Sequence, residues 1–214
     1  MRILSVRALA LPDIQVITFG RFADHRGYFT EPFRRSDLDN HPETRFLRDV
    51  SFVQSNESLS RPGTIRGLHF QWNPYVGKLV RTLQGHLIDI VLDIRLDSPT
   101  FGQAILYDMP NDDSRATAEW IWVPPGFAYG TAFPAETRIE YLCTGEYSPG
   151  CEAGISPTAD DIDWSLCDPA LKRQLDALLE RGATISDKDR SGLRVRQWRD
   201  DPRASQFTCA ALRS

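Results

Sequence analysis

The segment from Ser60 to Lys78, SRPGTIRGLHFQWNPYVGK, places one histidine, one arginine and one lysine in an otherwise apolar, turn-rich stretch. The chain contains four histidines, and His69 lies between Gly-Leu and Phe-Gln. An imidazole changes its charge between about pH 5 and 8, so a histidine in such a setting is a candidate general base. His69 is therefore the first residue for which the sequence predicts proton-transfer chemistry.

Size and composition define the class of protein that holds this segment. The 214 residues are enough for a single domain, 1–214, with a sizeable core. A net charge of −4 argues against a general nucleic-acid binder, although a few arginines could still hold a small anion. No run approaches the roughly 20 apolar residues of a membrane helix, and the N-terminus is typical of a strand rather than of a signal peptide. We expect a cytoplasmic protein with neither membrane nor nucleic acid as a partner.

Short alternations of apolar and polar residues, separated by turn residues, predict β-strands over most of the chain. Gln54 and Asn56 are two residues apart and therefore share one face of a strand, as do Tyr141 and Cys143 further along. At least seven such strands, with almost no helical periodicity before residue 165, predict an antiparallel sandwich or barrel.

The strongest strand signal lies in residues 78–95, where Gln84 and Gly85 separate two apolar runs. Asp89 interrupts the second run. A carboxylate inside an apolar strand costs free energy unless it has a partner. Asp89 is therefore expected to pair with a cation or a hydrogen-bond donor, and Lys78 is one candidate.

Residues 168–182 depart from the strand pattern. Asp168 is a good N-cap, a proline follows it, and leucines then recur at helical spacing. This pattern predicts a helix that packs on the barrel or on a neighbouring subunit. The remaining segment, 185–214, is polar and typical of a loop, with Trp198 and Phe207 as the expected anchors.

Seven motifs occur in the order and at the spacing of one known family: DHRGYFTE, QSNESLSRPGTIRGLHFQ, GKLV, DIVLDIRLDSPTFG, VPPGFAYG, EYLCTGEY and ISDKD. Over roughly residues 10–190, the chain resembles the RmlC-like sugar epimerases, the dTDP-4-dehydrorhamnose 3,5-epimerase family. Any one of these motifs alone would be a weak signal, whereas together they are highly specific.

The resemblance implies an all-β fold, a jelly-roll (cupin-type) double-stranded β-helix barrel with a few peripheral helices. It also implies a homodimer with shared N-terminal strands and no metal or organic cofactor. The implied substrate is a nucleotide-linked 4-keto-6-deoxyhexose, with dTDP as the nucleotide. Hydrogens on C3 and C5 are acidified by the C4 ketone, because their removal gives an enolate. Inversion of such a centre needs a base on one face, an acid on the other and a donor near the ketone oxygen.

Four catalytic roles follow from the resemblance. His69 matches the family's base, and Asp189 matches the carboxylate that holds the imidazole and stabilises its charged form. Tyr141 matches the general acid on the opposite face of the sugar ring. Lys78 matches the lysine near the keto oxygen, and Asp89 is expected to orient it.

Substrate-binding roles are implied for a further set of residues that carry suitable donors or aromatic rings. Guanidinium groups suit phosphate oxygens, and amides on a strand can fix the edge of a base. Arg26, Glu31, Gln54, Asn56 and Arg66 match positions that hold the diphosphate, sugar and base, while Phe29 and Tyr147 match aromatic residues on either side of the base.

Two features differ from the family's usual pattern. Tyr129, which we also expect to bind the substrate, occupies a position where the family has a histidine. The site therefore keeps a hydrogen-bond donor but loses a group that can be charged near pH 7. A single-centre epimerase of C3 or C5, or an epimerase of another deoxysugar, is therefore an alternative to inversion of both centres. The second feature is helix 168–182, which looks like an insertion before the SDKD motif.

Two functions of other classes also remain. A metal-dependent cupin enzyme needs clustered histidine ligands, but the chain has neither an H-x-H motif nor a histidine after Pro-Pro-Gly. Its four cysteines lack C-x-x-C spacing, which favours reduced thiols over a zinc site. A non-catalytic nucleotide-sugar-binding cupin would have the same fold, and replacement of His69 by asparagine distinguishes it from an enzyme.

Overall fold

A computed structural model describes residues 1–212 of the chain as a β-rich fold with short peripheral helices. Its strands are β1 (Ile3–Ala8), β2 (Gln15–Gly20), β3 (Phe22–Asp24), β4 (Gly27–Phe29), β5 (Gln54–Ser60), β6 (Thr64–Gln71), β7 (Lys78–Asp93), β8 (Ala104–Asn111), β9 (Thr117–Val123), β10 (Phe127–Phe133), β11 (Thr137–Cys143) and β12 (Glu152–Gly154). Its α-helices are α1 (Arg35–Asn40), α2 (Pro169–Glu180), α3 (Asp187–Arg190) and α4 (Val195–Arg199), and 3₁₀ helices span Pro42–Leu47 and Pro202–Gln206.

One long strand, β7, joins the two halves of the main antiparallel sheet. Its first part pairs with β9 and β11, and its second part pairs with β8 and β10. Gly85 lies at the change, with a φ of 104°, and a Cβ there would lie 2.3 Å from the carbonyl oxygen of Glu136. Glycine is required at this bend. The strand orders of the halves are β1-β2-β9-β7-β11-β5 and β8-β7-β10-β6-β12, which confirms the predicted jelly-roll barrel.

A bulge in β7 changes which residues face the barrel interior. Against β11, the register shifts so that Leu83 is an additional residue without a direct partner. Inward-facing residues are therefore even-numbered before the bulge, as at Lys78 and Val80, and odd-numbered after it, as at Leu87 and Asp89. The bulge brings Lys78 and Asp89 to the same side of the sheet.

Apolar residues form three clusters, one inside the barrel and one on the outside of each half. The inner cluster lies between the two halves. The outer face of β2 and β9 packs against Leu38 of α1 and the following 3₁₀ helix. The outer face of β6, β7 and β8 packs against α2 and the C-terminal segment. Trp198 and Phe207 are 0% and 1% exposed in this last cluster, which confirms their predicted role as anchors.

The helices agree only in part with the prediction. The side chain of Asp168 accepts a hydrogen bond from the amide of Ala170, and α2 begins at Pro169, as predicted. The expectation of a loop after residue 185 was wrong, because α3, α4 and a 3₁₀ helix form there, although residues 213–214 lie outside the described part. α1 was not predicted, since its six residues bury only Leu38 and show no apolar stripe. No helix in residues 1–212 is long and apolar enough to cross a membrane.

Candidate active site

A cavity of about 380 Å³ opens between β5, β6, β7 and β11. The side chains around it combine one imidazole, one ammonium, two phenols, several amides and one carboxylate. Six residues that the sequence predicted for the site line this cavity: Gln54, Asn56, His69, Lys78, Tyr141 and Tyr147. The remaining lining residues were not predicted: Phe70, Gln71, Val76, Cys143, Gly145 and Glu152.

A bulge in β6 sets the direction of the histidine. Opposite β10, Arg66 pairs with Thr131 and His69 pairs with Tyr129, so two residues of β6 oppose a single residue between these pairs. Gly67 lies in this bulge with a φ of 102°, and a Cβ there would lie 2.7 Å from the Cα of the glycine that follows Tyr129. The bulge places His69 in the cavity, while the neighbouring Leu68 and Phe70 pack in the outer cluster and Phe70 also borders the cavity.

His69 and Asp189 form a close pair. The Nε2 atom of His69 lies 2.6 Å from Oδ1 of Asp189, and the amide of Gly67 donates to Oδ2 at 3.1 Å. Burial alone would raise the pKa of Asp189, but the hydrogen bonds from His69 and Gly67 outweigh it and hold that pKa below its ordinary value. The carboxylate is therefore ionised at neutral pH and accepts from Nε2–H, which leaves the lone pair of the neutral ring on Nδ1.

Asp189 reaches His69 because the chain on both sides of α3 is fixed to the barrel. The amide of Ile65 donates to the carbonyl of Thr184 at 3.0 Å, and the amide of Leu193 donates to the carbonyl of Gly154 at 2.8 Å. Ser186 caps α3 and accepts from the amide of Asp189 at 3.1 Å. A short, capped helix thus holds the carboxylate against a histidine that is 120 residues away in the sequence.

Lys78 and Tyr141 lie on the adjacent strands β7 and β11. Burial lowers the pKa of the Lys78 ammonium, and the nearby Cys143 and Glu152 act in the opposite direction. Burial also raises the pKa of the Tyr141 phenol, and Arg66 opposes this rise. At neutral pH the phenol keeps its proton, so it can donate that proton in a reaction.

Asp89 has a hydrogen-bond donor as its partner, as predicted, but this donor is not the candidate Lys78. The partner of Asp89 is Tyr129, whose Oη donates to Oδ1 at 2.5 Å in the barrel interior. Burial raises the pKa of Asp89 to about 8, although the hydrogen bond from Tyr129 opposes the rise. Burial, followed by the proximity of Asp89, raises the pKa of Tyr129 well above its ordinary value. The hydroxyl of Tyr129 is thus directed to Asp89, and the residue is not part of the cavity lining.

The cavity rim is held by a small hydrogen-bond network. The Tyr147 hydroxyl donates to Oε1 of Glu152 at 2.9 Å, and the Lys188 ammonium binds the same oxygen. Gln54 accepts from the backbone amide of Tyr147 at 2.9 Å and donates to Asn56 at 3.0 Å. No sequence signal indicated Glu152. The strand that carries it, β12, has only three residues, and its partner Lys188 is 36 residues away in the sequence.

Besides Tyr129, four predicted binding residues lie outside the cavity of their own chain. Arg26 and Phe29 belong to the hairpin β3–β4, where Arg26 pairs with Asp24 and its side chain is 78% exposed. Phe29 is 64% exposed, and Glu31 accepts from the N-terminal amine. Arg66 is exposed near the rim and donates to the Ser60 hydroxyl at 3.0 Å. The structure therefore brings Gln54, Asn56 and Tyr147 together, but not these four.

The potential metal ligands in residues 1–212 are not clustered. No group of three or more His, Cys, Asp or Glu side chains in that part of the chain is arranged to hold a metal ion. The carboxylate that contacts His69, Asp189, is already bonded to the ring and to a backbone amide.

Comparison with known proteins identifies the family. The sequence profile described as dTDP-4-dehydrorhamnose 3,5-epimerase matches residues 8–197. The chain belongs to this family. The epimerase is 38% identical over 163 residues to a dTDP-4-dehydrorhamnose 3,5-epimerase of Sinorhizobium fredii, which covers 74% of this chain and 79% of the relative. It is 36% identical over 172 residues to that of Shigella flexneri, covering 78% and 91%.

Solved structures agree with this result. The epimerase superposes with a TM-score of 0.73 and 29% identity on the crystal structure of dTDP-6-deoxy-D-glucose-3,5-epimerase from Legionella pneumophila, which covers 90% of this chain and 93% of that one. That structure is a complex with dTDP-4-keto-L-rhamnose. The family membership and the fold predicted from the sequence motifs are confirmed, and the protein is an isomerase of the sugar-epimerase type.

Proposed function

We propose that this epimerase inverts C3, C5 or both in a nucleotide-linked 4-keto-6-deoxyhexose, with dTDP as the nucleotide, without a metal or organic cofactor. The observation that carries the proposal is the common cavity of His69, Lys78 and Tyr141, with Asp189 bonded to the base from behind. A base, an acid and a cation around one space are the groups that an enolate mechanism needs. The sugar nucleotide in the related Legionella structure supports the same substrate class.

His69 is the proposed base. The Asp189 carboxylate fixes the ring through Nε2–H, so Nδ1 is the atom that takes the proton from the carbon next to the ketone. As the proton arrives, the ring becomes an imidazolium, and the ionised carboxylate at 2.6 Å stabilises this charge. The pair resembles other histidine–carboxylate pairs in which the carboxylate orients the ring and itself stays ionised.

Lys78 and Tyr141 supply the other two requirements. The Lys78 ammonium donates to the C4 oxygen and stabilises the negative charge of the enolate in a partly dehydrated site, where such a charge interaction is stronger than in water. The phenol of Tyr141 then donates a proton to the opposite face of the carbon. Because burial raises its pKa, the phenol enters the reaction protonated.

The nucleotide is proposed to lie along the rim. Tyr147 supplies an exposed ring for the base, Gln54 and Asn56 supply amides, and Arg66 lies near enough to Tyr141 to influence its charge and can reach a phosphate. The two strand amides line the cavity on one face of β5, as their spacing predicts.

We propose that Arg26, Phe29 and Glu31 act in the cavity of a second copy of the chain, as a homodimer with shared N-terminal strands requires. The hairpin that carries Arg26 and Phe29 extends into solvent. Within residues 1–212, β1 and β5 each pair along one edge only, and Leu4 and Leu59 are exposed on these strands. Free edges with apolar side chains are suited to pairing between chains. The cytoplasmic location stays a prediction.

The direct test is incubation of the protein with dTDP-4-keto-6-deoxyglucose in D₂O, followed by NMR. We expect deuterium at C3, C5 or both, together with inverted product, and the number of labelled positions distinguishes a single-centre from a double-centre enzyme. His69→Asn should reduce incorporation by on the order of 10³-fold, because the amide cannot take the proton.

Two outcomes would contradict the proposal. A wild-type protein that binds the sugar nucleotide but incorporates no deuterium would be a non-catalytic binder. Activity that disappears with a chelator and returns with a stoichiometric metal ion would indicate a metal-dependent cupin enzyme instead.

A further inference from the structure

The ammonium of Lys78 lies in an unusual setting for a catalytic cation. It is held at the inner wall of the cavity, and burial lowers its pKa. In residues 1–212, no carboxylate lies within ion-pair distance of its Nζ atom, although Cys143 and Glu152 are near enough to favour its charged form. Charged groups removed from water in proteins normally have a partner, so a neighbouring group is expected to stabilise the Lys78 ammonium.

The aromatic ring of Tyr129 takes this place. The Nζ atom of Lys78 lies 5.3 Å from the ring centroid, within the range of a cation–π interaction. The side chain of Tyr129 is 7% exposed and packs in the inner cluster of the barrel. Its ring therefore contacts the ammonium from the barrel interior, behind the residues that line the cavity.

Asp89 fixes the orientation of this ring. Its Oδ1 accepts from the Tyr129 hydroxyl at 2.5 Å, and the carboxyl group is 0% exposed. Its Oδ2 has no hydrogen-bond partner, and the other charged groups nearby are Glu119 of β9 and Asp108 of β8. Burial raises the pKa of Asp89 to about 8, so the group is mostly protonated at neutral pH. The pair is then close to neutral and does not draw Lys78 into an ion pair.

We propose that Tyr129 is a positioning residue for Lys78: its ring face holds the ammonium at the floor of the cavity, and Asp89 fixes the ring through the hydroxyl. The inference deepens the proposed function, since it rests on the role of Lys78 at the keto oxygen. It assigns to Tyr129 a role that differs from direct substrate binding.

The choice of a ring as partner has a chemical consequence. A carboxylate would occupy the N–H donors of Lys78 and hold them away from the substrate. A ring face stabilises the positive charge through its quadrupole and leaves these donors free for the keto oxygen. A histidine at position 129 could itself become charged beside Lys78 and repel it, whereas the phenol stays neutral.

Lysine labelling tests the inference without requiring catalysis. The chain has three lysines, Lys78, Lys172 and Lys188, so competitive acetylation followed by mass spectrometry can report on each. The probe is acetic anhydride, applied at a series of pH values. The labelling rate of each lysine is divided by the limiting rate that the same lysine reaches at high pH, which removes differences in solvent access and gives a scaled labelling rate. Lys172 and Lys188 are internal references, and their unchanged labelling shows that a variant is folded.

Tyr129→Leu removes the ring, and Tyr129→Met is a second aliphatic variant in case the first does not fold. Either should favour the neutral amine of Lys78 and raise its scaled labelling rate at pH 8 by about threefold or more. Tyr129→Phe keeps the ring and should change this rate by less than about twofold. A Lys78 rate that stays the same or falls in both aliphatic variants would overturn the inference.

Deuterium exchange gives a second readout. In Tyr129→Leu we expect kcat to fall about tenfold with KM within about twofold, and Tyr129→Phe should recover most of the loss. In a Lys78→Met background, Tyr129→Leu should have no further effect, because the residue acts through the lysine. Additive losses would mean that Tyr129 contacts the substrate itself. Absence of exchange in the wild type would refute the proposed function, while the labelling result would still decide the role of the ring.

Discussion

Two carboxyl groups serve the same site in opposite ways. Asp189 accepts two hydrogen bonds, and its pKa lies below the ordinary value, whereas Asp89 accepts one bond, has an unpaired Oδ2 and has a pKa of about 8. Their partners, His69 and Tyr129, are paired directly across β6 and β10. Two neighbouring residues of one sheet thus have different partners: His69 contacts a charged carboxylate, and Tyr129 contacts a largely neutral carboxyl group.

The balance between burial and the surrounding groups decides the charge of each carboxyl group: the hydrogen bonds to Asp189 outweigh its burial, whereas the single hydrogen bond to Asp89 does not. Both groups are buried, at 7% and 0% exposure. A charged partner suits a base that becomes cationic during the reaction, as proposed for His69. A neutral partner suits a ring that lies under a cation, as proposed for Tyr129.

The largest expected effect comes from Asp189→Asn. The amide lacks the full charge that stabilises the imidazolium and can hold the ring in the wrong tautomer, so deuterium exchange should fall by on the order of 10³-fold. Asp89→Asn is the matched control and should lose less than about tenfold, since its carboxyl is largely neutral at pH 7. Equal losses in the two variants, measured as kcat under the same conditions, would remove the contrast between the pairs.

The second-largest effect is expected from a substitution of Tyr141, which differs from Tyr129 in the position of its hydroxyl. Tyr141 lines the cavity, whereas the hydroxyl of Tyr129 is bonded to Asp89. Tyr141→Phe should reduce inversion by about 100-fold but reduce proton exchange at C3 by less than about tenfold, because the base still works from its own face. The two rates can be followed by NMR in D₂O. Equal loss of exchange and inversion would contradict the assignment of the acid.

The pH dependence of stability should also separate the two carboxyl groups. The folded pKa of Asp89 is raised, so the folded state binds more protons than the unfolded state between about pH 4 and 8, and stability falls as the pH rises through that range. Asp89→Asn should remove a decline on the order of 5 kcal/mol over this range, measured by urea unfolding at several pH values.

For Asp189 the sign is reversed. Its folded pKa is lowered, so its contribution is present above the unfolded pKa of about 4 and is lost as the pH falls further. Asp189→Asn should therefore leave the decline between pH 5 and 8 in place. If Asp89→Asn also leaves it in place, the carboxyl of Asp89 is ionised in the folded protein.

The smallest effect is expected from the helix cap that positions Asp189. Ser186→Ala removes the acceptor for the Asp189 amide and should cost about 1 kcal/mol of stability. Exchange should fall less than about fivefold, because the ring–carboxylate bond remains. Thermal unfolding and kcat measure both effects, and Ser186→Thr, which keeps a capping hydroxyl, should restore them. A loss as large as that of Asp189→Asn would show that the cap, and not the bond to His69, controls the base.

Local patterns predicted much of the fold. Alternation in β5 and β11 gave the shared faces of Gln54 with Asn56 and of Tyr141 with Cys143. Asp168 and the proline after it predicted the start of α2. These features depend on contacts within a few residues, so the sequence carries them directly.

The contacts within the site could not be predicted in the same way. The partner of Asp89 lies 40 residues away, and nothing in the alternation of β7 distinguishes Tyr129 from Lys78 as that partner. Bulges at Leu83 and Gly67 change which side of a strand later residues face, and simple alternation does not reveal them. Asp189 was assigned only through the resemblance of its motif, because 120 residues separate it from His69.

The additional residue in β7 also limits how this site can change during evolution. Deletion of Leu83 would turn every later side chain of the strand to the opposite face, so Asp89 would leave the barrel interior while Ile88 and Ile90 entered it. Variation that preserves the site must therefore exchange side chains and keep the length of the strand. An exchange of the histidine that the family resemblance implies at position 129 for tyrosine is a change of this kind, since it alters the side chain next to Lys78 and keeps the length of the strand.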